Sequence, residues 1–128
     1  MVKTLFGLPV ILVVDDDEDM LVLMQFALER EGFYPIFSPN AKNVMEIIAQ
    51  HQPKVVLLDI KMDGINGADI CQAIKLSPPI AAIPVVIYSA NENIRDLTVN
   101  CGADSFLSKP FTTEKLQAVL KEIFPAGL

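Results

Sequence analysis

Polar side chains suited to phosphoryl chemistry follow the apolar runs of this sequence. They are Asp15 to Asp17, Asp59, Ser89 and Lys109. Carboxylates brought together from two of these runs would repel one another unless a cation offset their charge, and their hard oxygen atoms suit Mg²⁺. A carboxylate left partly free beside that cation can act as a nucleophile, while a lysine and a hydroxyl hold phosphoryl oxygens. The residue types therefore predict a Mg²⁺-dependent site in which Asp59 accepts a phosphoryl group.

Each of these residues also has an ordinary structural alternative. The acidic stretch from Asp15 to Asp19 could cap the helix that follows it. Asp59 could form a loop, Ser89 could be a turn hydroxyl, and Lys109 could be an exposed residue at a strand end. Taken one at a time, these alternatives are the better interpretation of Asp59, Ser89 and Lys109. The joint occurrence of the whole set favours the chemical interpretation.

The elements that position these residues follow from the alternation of short apolar runs with longer segments of helical period. This pattern is typical of strands that crossover helices bury on both faces. Strands are predicted at Val10–Val14, Tyr34–Phe37, Val55–Leu58, Val85–Tyr88 and Ser105–Leu107. Helices are predicted at Glu18–Glu31, Ala41–Gln50, Gly67–Leu76, Glu92–Asn100 and Thr113–Ile123. The predicted fold is a doubly wound α/β fold with a parallel sheet.

Right-handed crossovers place the carboxyl ends of parallel strands on one rim of the sheet, which is where open α/β sheets bind ligands. The polar residues after the apolar runs should therefore meet at this rim. Pro35 lies within the second predicted strand and has no N–H to donate, so this strand is predicted at an edge of the sheet.

Length and composition limit the classes of function. The 128 residues fit one domain, predicted to span 1–128, with 52% hydrophobic residues for its core. A net charge of −6 argues against a nucleic-acid surface. Cys71 and Cys101 lack a partner at metal-ligand spacing and are predicted in the core. No apolar run is long enough to span a bilayer, so we expect no membrane segment and a cytoplasmic location.

Four stretches of the sequence together resemble the receiver domains of bacterial two-component response regulators, including the single-domain chemotaxis type. They are Ile11 to Asp17, Val55 to Met62, Val85 to Ala90 and Gly102 to Phe111. The resemblance extends over essentially the whole chain. It implies a flavodoxin-like five-stranded sheet in the order 2-1-3-4-5, with helices on both faces, which agrees with the edge position predicted for Pro35.

The resemblance also implies a role for each site residue. Asp59 would be phosphorylated by a sensor histidine kinase or a histidine phosphotransfer protein. The Mg²⁺ ligands would be Asp16, Asp59 and the backbone carbonyl of Lys61, with Asp15 acting through a bound water. The remaining implied roles are those of Ser89 as the switch hydroxyl, Lys109 as the phosphate-contacting lysine, and Phe106 as an aromatic switch residue.

The resemblance further implies a switch in signal transduction rather than an enzyme with a metabolic product, although such a domain can assist its own phosphorylation and dephosphorylation. Its output would be a protein-binding face formed by the fourth helix, the fifth strand and the fifth helix. The sequence departs from the family pattern at Asp63, which replaces a usual proline, and at Asn66, which replaces a common acidic residue. The additional charge of Asp63 would alter metal affinity or phosphate lifetime.

A small phosphohydrolase of the haloacid dehalogenase type is the alternative from another class. Asp15 and Asp17 could form its Asp-x-Asp motif, with Asp15 as the nucleophile. The chain lacks a convincing downstream acidic pair and a cap for a substrate, and this alternative leaves Asp59 unexplained. The residue that becomes phosphorylated distinguishes the two functions.

The first predicted helix has apolar residues on more than one side. Its core-facing residues are predicted to be Met20, Leu23, Met24, Ala27 and Leu28. Val22 and Phe26 fall outside this stripe, and their i, i+4 spacing makes them neighbours on the helix surface. They either pack against a neighbouring helix or form an exposed patch that binds the histidine-bearing helix of the phosphodonor.

Overall fold

The computed structural model of this chain describes residues 4–5, 7–40, 42–62 and 64–124. Its strands are β1 (Thr4–Leu5), β2 (Leu8–Val14), β3 (Tyr34–Ser38), β4 (Val55–Asp59), β5 (Lys61–Met62), β6 (Ile65–Asn66), β7 (Val85–Ser89) and β8 (Ser105–Ser108). Its helices are α1 (Glu18–Arg30), α2 (Val44–His51), α3 (Gly67–Lys75), α4 (Ile94–Cys101) and α5 (Thr113–Ile123).

Five strands form a parallel sheet in the order β3-β2-β4-β7-β8. Numbered by themselves along the chain, these strands have the order 2-1-3-4-5, so the predicted fold is confirmed. Pro35 lies in β3 at the sheet edge, where a residue without an N–H does not interrupt hydrogen bonding between interior strands. The short strand β1 pairs antiparallel with the start of β2, and β5 and β6 form a separate antiparallel hairpin.

The sheet is covered on both faces because its strands are almost continuously apolar and need cover on each side. Helices α1 and α5 pack on one face, around Met24, Leu28 and Leu116. Helices α2, α3 and α4 pack on the other, around Ile48 and Ile74. Successive residues of a strand point to opposite faces, so each strand contributes to both clusters.

Most differences from the predicted elements lie at their ends. Helix α2 begins at Val44 rather than Ala41, which itself lies outside the described residues. Helix α4 begins at Ile94 rather than Glu92, because Asn91 first forms a turn in which its side chain accepts from the backbone N–H of Asn93 over 2.8 Å. The strands β1, β5 and β6 were not predicted, and each has only two residues.

The predicted core stripe of α1 is wrong at one position. Leu23 is 46% exposed, whereas Leu21 packs against the core with Met20. At 100° per residue Leu21 lies within about 60° of both Met24 and Leu28, while Leu23 lies about 100° from Met24. The apolar surface of α1 is therefore larger than predicted.

Within the described ranges, no helix combines the length and the apolar character needed to cross a lipid bilayer.

Candidate functional site

The carboxylates of the predicted site meet at the carboxyl rim of the sheet. Asp15 directly follows β2 and Asp59 ends β4, and these strands are neighbours with Val14 opposite Leu58. One oxygen atom from each of Asp15, Asp16 and Asp59 lies within 4.8 Å of the others. Asp15 and Asp59 are buried and Asp16 is exposed. Three hard oxygen donors, one of them open to solvent, are chemically suited to Mg²⁺.

Asp15 is held by hydrogen bonds to both of its carboxylate oxygens. The Asp17 backbone N–H donates to Oδ1 over 2.9 Å, and the Tyr88 hydroxyl donates to Oδ2 over 2.7 Å. Burial raises the pKa of Tyr88 well above its usual value, and the negative charge of Asp15 adds to the rise. The hydroxyl therefore stays protonated at neutral pH and remains a hydrogen-bond donor to Asp15.

Asp59 lies between opposite electrostatic influences. Its Oδ1 accepts a hydrogen bond from the Lys109 ammonium over 3.1 Å. Burial raises the pKa of Asp59 to about 6, the charge of Asp15 adds to the rise, and Lys109 opposes it. The ionised carboxylate is therefore under-stabilised in the absence of a metal, and a bound cation would lower its free energy.

A cleft of about 870 Å³ opens beside Asp59 and is lined also by Lys61, Ser89, Asn91 and Lys109. Ser89 ends β7, and its hydroxyl accepts from the Asn91 backbone N–H over 3.0 Å. The Lys109 backbone N–H donates to the Ser89 carbonyl over 2.8 Å, which fixes the loop after β8 against β7. The Asp59 carboxylate, the Ser89 hydroxyl and the Lys109 ammonium therefore share one open space of sufficient size for a phosphoryl group.

The loop from Asp59 to α3 is closed by close backbone packing. The Gly67 N–H donates to the Ile60 carbonyl over 2.6 Å. A Cβ atom at position 67 would contact the Asp59 carbonyl oxygen and would lie 2.8 Å from the Ile60 Cα. Asn66 caps α3, because its side chain accepts from the Ala68 backbone N–H over 2.9 Å. Asn66 thus provides the helix cap despite its departure from the family pattern, whereas Asp63 lies outside the described residues.

Phe106 lies on β8 and is not among the residues that line the cleft. Its half-buried side chain packs on the cluster beneath α3 and α4, and the Arg95 guanidinium of α4 lies 5.8 Å from its ring centroid. Phe106 therefore contacts the layer of α4 rather than the carboxylates.

Val22 and Phe26 lie on α1 and are 54% and 70% exposed, and Leu23 adjoins them. We refer to these three residues as the α1 patch. Helix α1 starts at the rim, where the Asp17 side chain accepts from the Asp19 backbone N–H over 3.0 Å. The patch is an exposed apolar surface on the helix that follows the acidic residues, and its residues do not line the cleft.

Two residues of the site were missed by sequence reasoning. Tyr88 follows three aliphatic residues in a buried strand, and the hydroxyl of a buried tyrosine usually needs a hydrogen-bond partner, which is a signal that the sequence does carry. Gly67 was predicted only as the first residue of a helix, and nothing in the local sequence indicates that the Asp59 carbonyl approaches it.

The fold and this site define a flavodoxin-like α/β protein with an acidic, lysine-containing cleft at the carboxyl rim of its sheet. The model of the response regulator receiver domain matches residues 11–121. The chain therefore belongs to the family of response regulator receiver domains, and it is a phosphoacceptor module of two-component signalling.

Solved structures with this fold come from several microorganisms. A protein of Chloroflexus aurantiacus assigned as a response regulator is 21% identical, with a TM-score of 0.86 and coverage of 93% of this chain and 99% of that chain. The chemotaxis protein CheY4 of Vibrio cholerae is 18% identical, with a TM-score of 0.82 and coverage of 91% and 99%. A CheY-like receiver domain protein of Methanospirillum hungatei is 27% identical, with a TM-score of 0.75 and coverage of 94% and 100%.

The phosphohydrolase alternative is not supported. The family match assigns the chain to another class. Asp15 is fully buried and both of its oxygens accept hydrogen bonds, which makes it a poor nucleophile. Asp59, which that alternative left unexplained, is the carboxylate that contacts Lys109 and lines the cleft.

Proposed function

We propose that this chain acts in the cytoplasm as a single receiver domain in which Asp59 accepts a phosphoryl group from a phosphohistidine. The donor is a sensor histidine kinase or a histidine phosphotransfer protein. The observation that carries the proposal is the position of Asp59, a buried carboxylate that contacts Lys109 and lies within 4.8 Å of Asp15 and Asp16. The domain functions as a switch, and its product is a conformational signal to a partner protein.

The chemistry requires little more than positioning and charge. A carboxylate oxygen of Asp59 forms a bond to phosphorus while the P–N bond to the donor imidazole breaks, and the electron pair leaves with the imidazole nitrogen. Lys109 and Ser89 lie where they can bind phosphoryl oxygens. Asp15, Asp16, Asp59 and the Lys61 carbonyl would hold Mg²⁺, which when bound offsets the negative charge of the carboxylates and of the incoming group.

We infer that the signal passes through Ser89 and Phe106. Phosphorylation draws the Ser89 hydroxyl toward the phosphoryl group, and Phe106 moves inward from its half-buried position. Because Phe106 contacts α4 through Arg95 and the cluster beneath that helix, its movement alters the face formed by α4, β8 and α5. This face is the proposed binding surface for the downstream protein.

Labelling by acetyl phosphate tests the proposed acceptor. The protein is incubated with acetyl phosphate, with and without Mg²⁺, and the modified residue is located by mass spectrometry. We expect a single phosphoryl group on Asp59 that requires Mg²⁺. A label on Asp15, or labelling of equal extent in the presence of a chelator, would contradict the proposal.

The two neighbouring aspartates should contribute unequally to Mg²⁺ binding. Asp15 already uses both oxygens in hydrogen bonds, whereas Asp16 is exposed at the mouth of the cluster. We expect Asp16→Ala to weaken Mg²⁺ binding by about a hundredfold and Asp15→Ala by about tenfold, because Asp16 is the proposed direct ligand whereas Asp15 would act through a bound water. Titration of the ¹⁵N-labelled variants with Mg²⁺, followed by amide chemical shifts, measures both. Equal Mg²⁺ affinity in wild type and Asp16→Ala would refute the assignment of Asp16.

We propose that the α1 patch binds the histidine-bearing helix of the donor, since exposed apolar anchors of this kind set partner affinity. Phe26→Ala should slow phosphotransfer from the cognate protein donor by about tenfold while leaving labelling by acetyl phosphate unchanged. Its thermal stability should change little, because the side chain is 70% exposed. The phosphorylated donor is mixed with each variant, the reaction is quenched at a series of times, and gel separation of the two proteins gives the rate of phosphotransfer.

Leu76→Ala provides the matched control for Phe26→Ala. Leu76 is 75% exposed and lies at the end of α3, so its truncation removes a similar amount of apolar surface elsewhere. We expect phosphotransfer from the donor to this variant at the wild-type rate. If Phe26→Ala transfers at the wild-type rate but unfolds at a clearly lower temperature, Phe26 is a packing residue and the patch is not the docking site.

A further inference from the structure

Tyr88 contacts two groups of the site from within the core. Its hydroxyl donates to Asp15 Oδ2 over 2.7 Å, and the Lys109 ammonium lies 5.1 Å from its ring centroid. The side chain is fully buried, and its ring packs edge-on against Phe111 with 6.0 Å between the centroids. Packing therefore fixes the ring, and the fixed ring determines where the hydroxyl lies.

The strand geometry explains how one residue reaches both groups. Tyr88 is opposite Asp59 in the pairing of β4 with β7. Ser89, the next residue, faces the cleft with Asp59, whereas the Tyr88 ring belongs to the cluster beneath α1 and α5. Lys109 lines the same cleft as Ser89, and its ammonium also lies over the Tyr88 ring, so this lysine contacts both Asp59 and the tyrosine.

A hydrogen bond from a buried hydroxyl to a carboxylate is stronger than one between neutral groups. Because the Asp17 backbone N–H donates to Oδ1 and the Tyr88 hydroxyl donates to Oδ2, the Asp15 carboxylate has one defined orientation. Outer partners of this kind orient metal ligands and influence metal affinity. The ring face of Tyr88 attracts the Lys109 ammonium, which at the same time contacts Asp59.

We propose that Tyr88 is a positioning residue of the phosphoacceptor site, whose hydroxyl fixes Asp15 and thereby strengthens Mg²⁺ binding, and whose ring holds Lys109 beside Asp59. The inference rests on the proposed function, because it concerns the Mg²⁺ site and the lysine assigned there. A tyrosine that only filled the core could lose its hydroxyl without any effect on Mg²⁺.

The test compares Tyr88→Phe with Tyr34→Phe. The first variant keeps the ring and removes the hydroxyl from Asp15. The second removes a hydroxyl at the start of β3, opposite Val10 and at the other end of the sheet from the rim. Amide chemical shifts during Mg²⁺ titration should give about fivefold weaker binding for Tyr88→Phe and wild-type binding for Tyr34→Phe. Mg²⁺ affinity of Tyr88→Phe within experimental error of wild type would overturn the inference.

A double-mutant cycle with Asp15→Ala identifies the route of the effect. If Tyr88 acts through Asp15, Tyr88→Phe weakens Mg²⁺ binding in the wild-type background and not in the Asp15→Ala background. Equal losses in both backgrounds would overturn the proposed route. Wild-type protein that is not labelled at Asp59 would instead contradict the proposed function, so the two failures are distinguishable.

Ultraviolet difference absorbance supplies a measurement that does not depend on the folding of Tyr88→Phe. The sequence has two tyrosines and no tryptophan, so a Mg²⁺-induced tyrosine signal has only two sources. We expect the signal in wild type and its full retention in Tyr34→Phe. A signal that disappears in Tyr34→Phe, or the lack of any signal in wild type at saturating Mg²⁺, would overturn the inference.

Discussion

Asp59→Asn protein should take up no phosphoryl group from acetyl phosphate or from a phosphohistidine donor, whatever the Mg²⁺ concentration. The asparagine side chain keeps the shape of Asp59 and an oxygen to accept from Lys109, but it lacks the anionic oxygen that attacks phosphorus. Intact-mass spectrometry, with wild type as the positive control, measures the loss. Full labelling of the variant would show that Asp59 is not the acceptor.

The same substitution should stabilise the metal-free protein at neutral pH. The pKa of Asp59 is raised from 3.8 to about 6, so the folded state holds this proton more tightly than the unfolded state. The stabilisation that the folded state gains from binding this proton more tightly is complete below about pH 4, falls as pH rises through 6, and is absent at pH 7. After allowance for solvent at the cleft, Asp59→Asn should raise the free energy of unfolding by roughly 2 kcal/mol at pH 7 and change it little at pH 4.

Urea unfolding in chelator at pH 4, 5, 6 and 7 measures this dependence. Asp15 and Lys109 are the charged groups that act on Asp59, and both remain in the variant, so the difference between the two proteins isolates the Asp59 carboxylate. Parallel stability curves for wild type and Asp59→Asn would show that Asp59 titrates at its ordinary pKa. Saturating Mg²⁺ should remove most of the difference, because the cation offsets the cost of the ionised carboxylate.

Gly67→Ala should produce the largest loss of stability, at least ~3 kcal/mol, since overpacking against a fixed backbone strains both segments. The added Cβ would collide with the Asp59 carbonyl oxygen and would lie 2.8 Å from the Ile60 Cα. Neither neighbour can move without displacing the end of β4. Labelling of Asp59 should therefore slow as well, because the proposed acceptor itself is displaced.

Gly64→Ala is the matched control in the same loop. Gly64 has a φ of +71°, but a Cβ there would meet nothing within 4 Å. The left-handed backbone alone should cost about 1 kcal/mol. Urea unfolding measures the loss of stability in each variant. If Gly67→Ala loses no more stability than Gly64→Ala, the loop relaxes around the new methyl group.

The fold was largely predictable because its strands are continuous apolar runs and its helices have clear polar faces. Helix α5 has the predicted bounds, and the edge position of β3 follows from Pro35 alone. The two-residue strands were not predictable, since so short a segment carries no periodic signal. The face of α1 was only partly predictable, because five consecutive apolar residues, Met20 to Met24, cover most sides of the helix and tertiary packing decides which of them are buried.

The grouping of the carboxylates was also predictable, because parallel strands deliver their carboxyl ends to one rim. The distances between these carboxylates, their burial, and the residues that contact them could not be predicted. The bond between Tyr88 and Asp15 joins residues 73 positions apart, and the contact at Gly67 depends on how α3 docks against β4. Such relations arise from tertiary packing, which leaves no pattern in the local sequence.

The sheet divides the core into one cluster beneath α1 and α5 and another beneath α2, α3 and α4. Side chains of different clusters are separated by the sheet, so the effects of substitutions in the two should add independently. The two layers can therefore accumulate changes at different rates during evolution. If the α1 patch binds the donor as proposed, selection for a new donor can act on α1 without requiring compensating changes beneath α4.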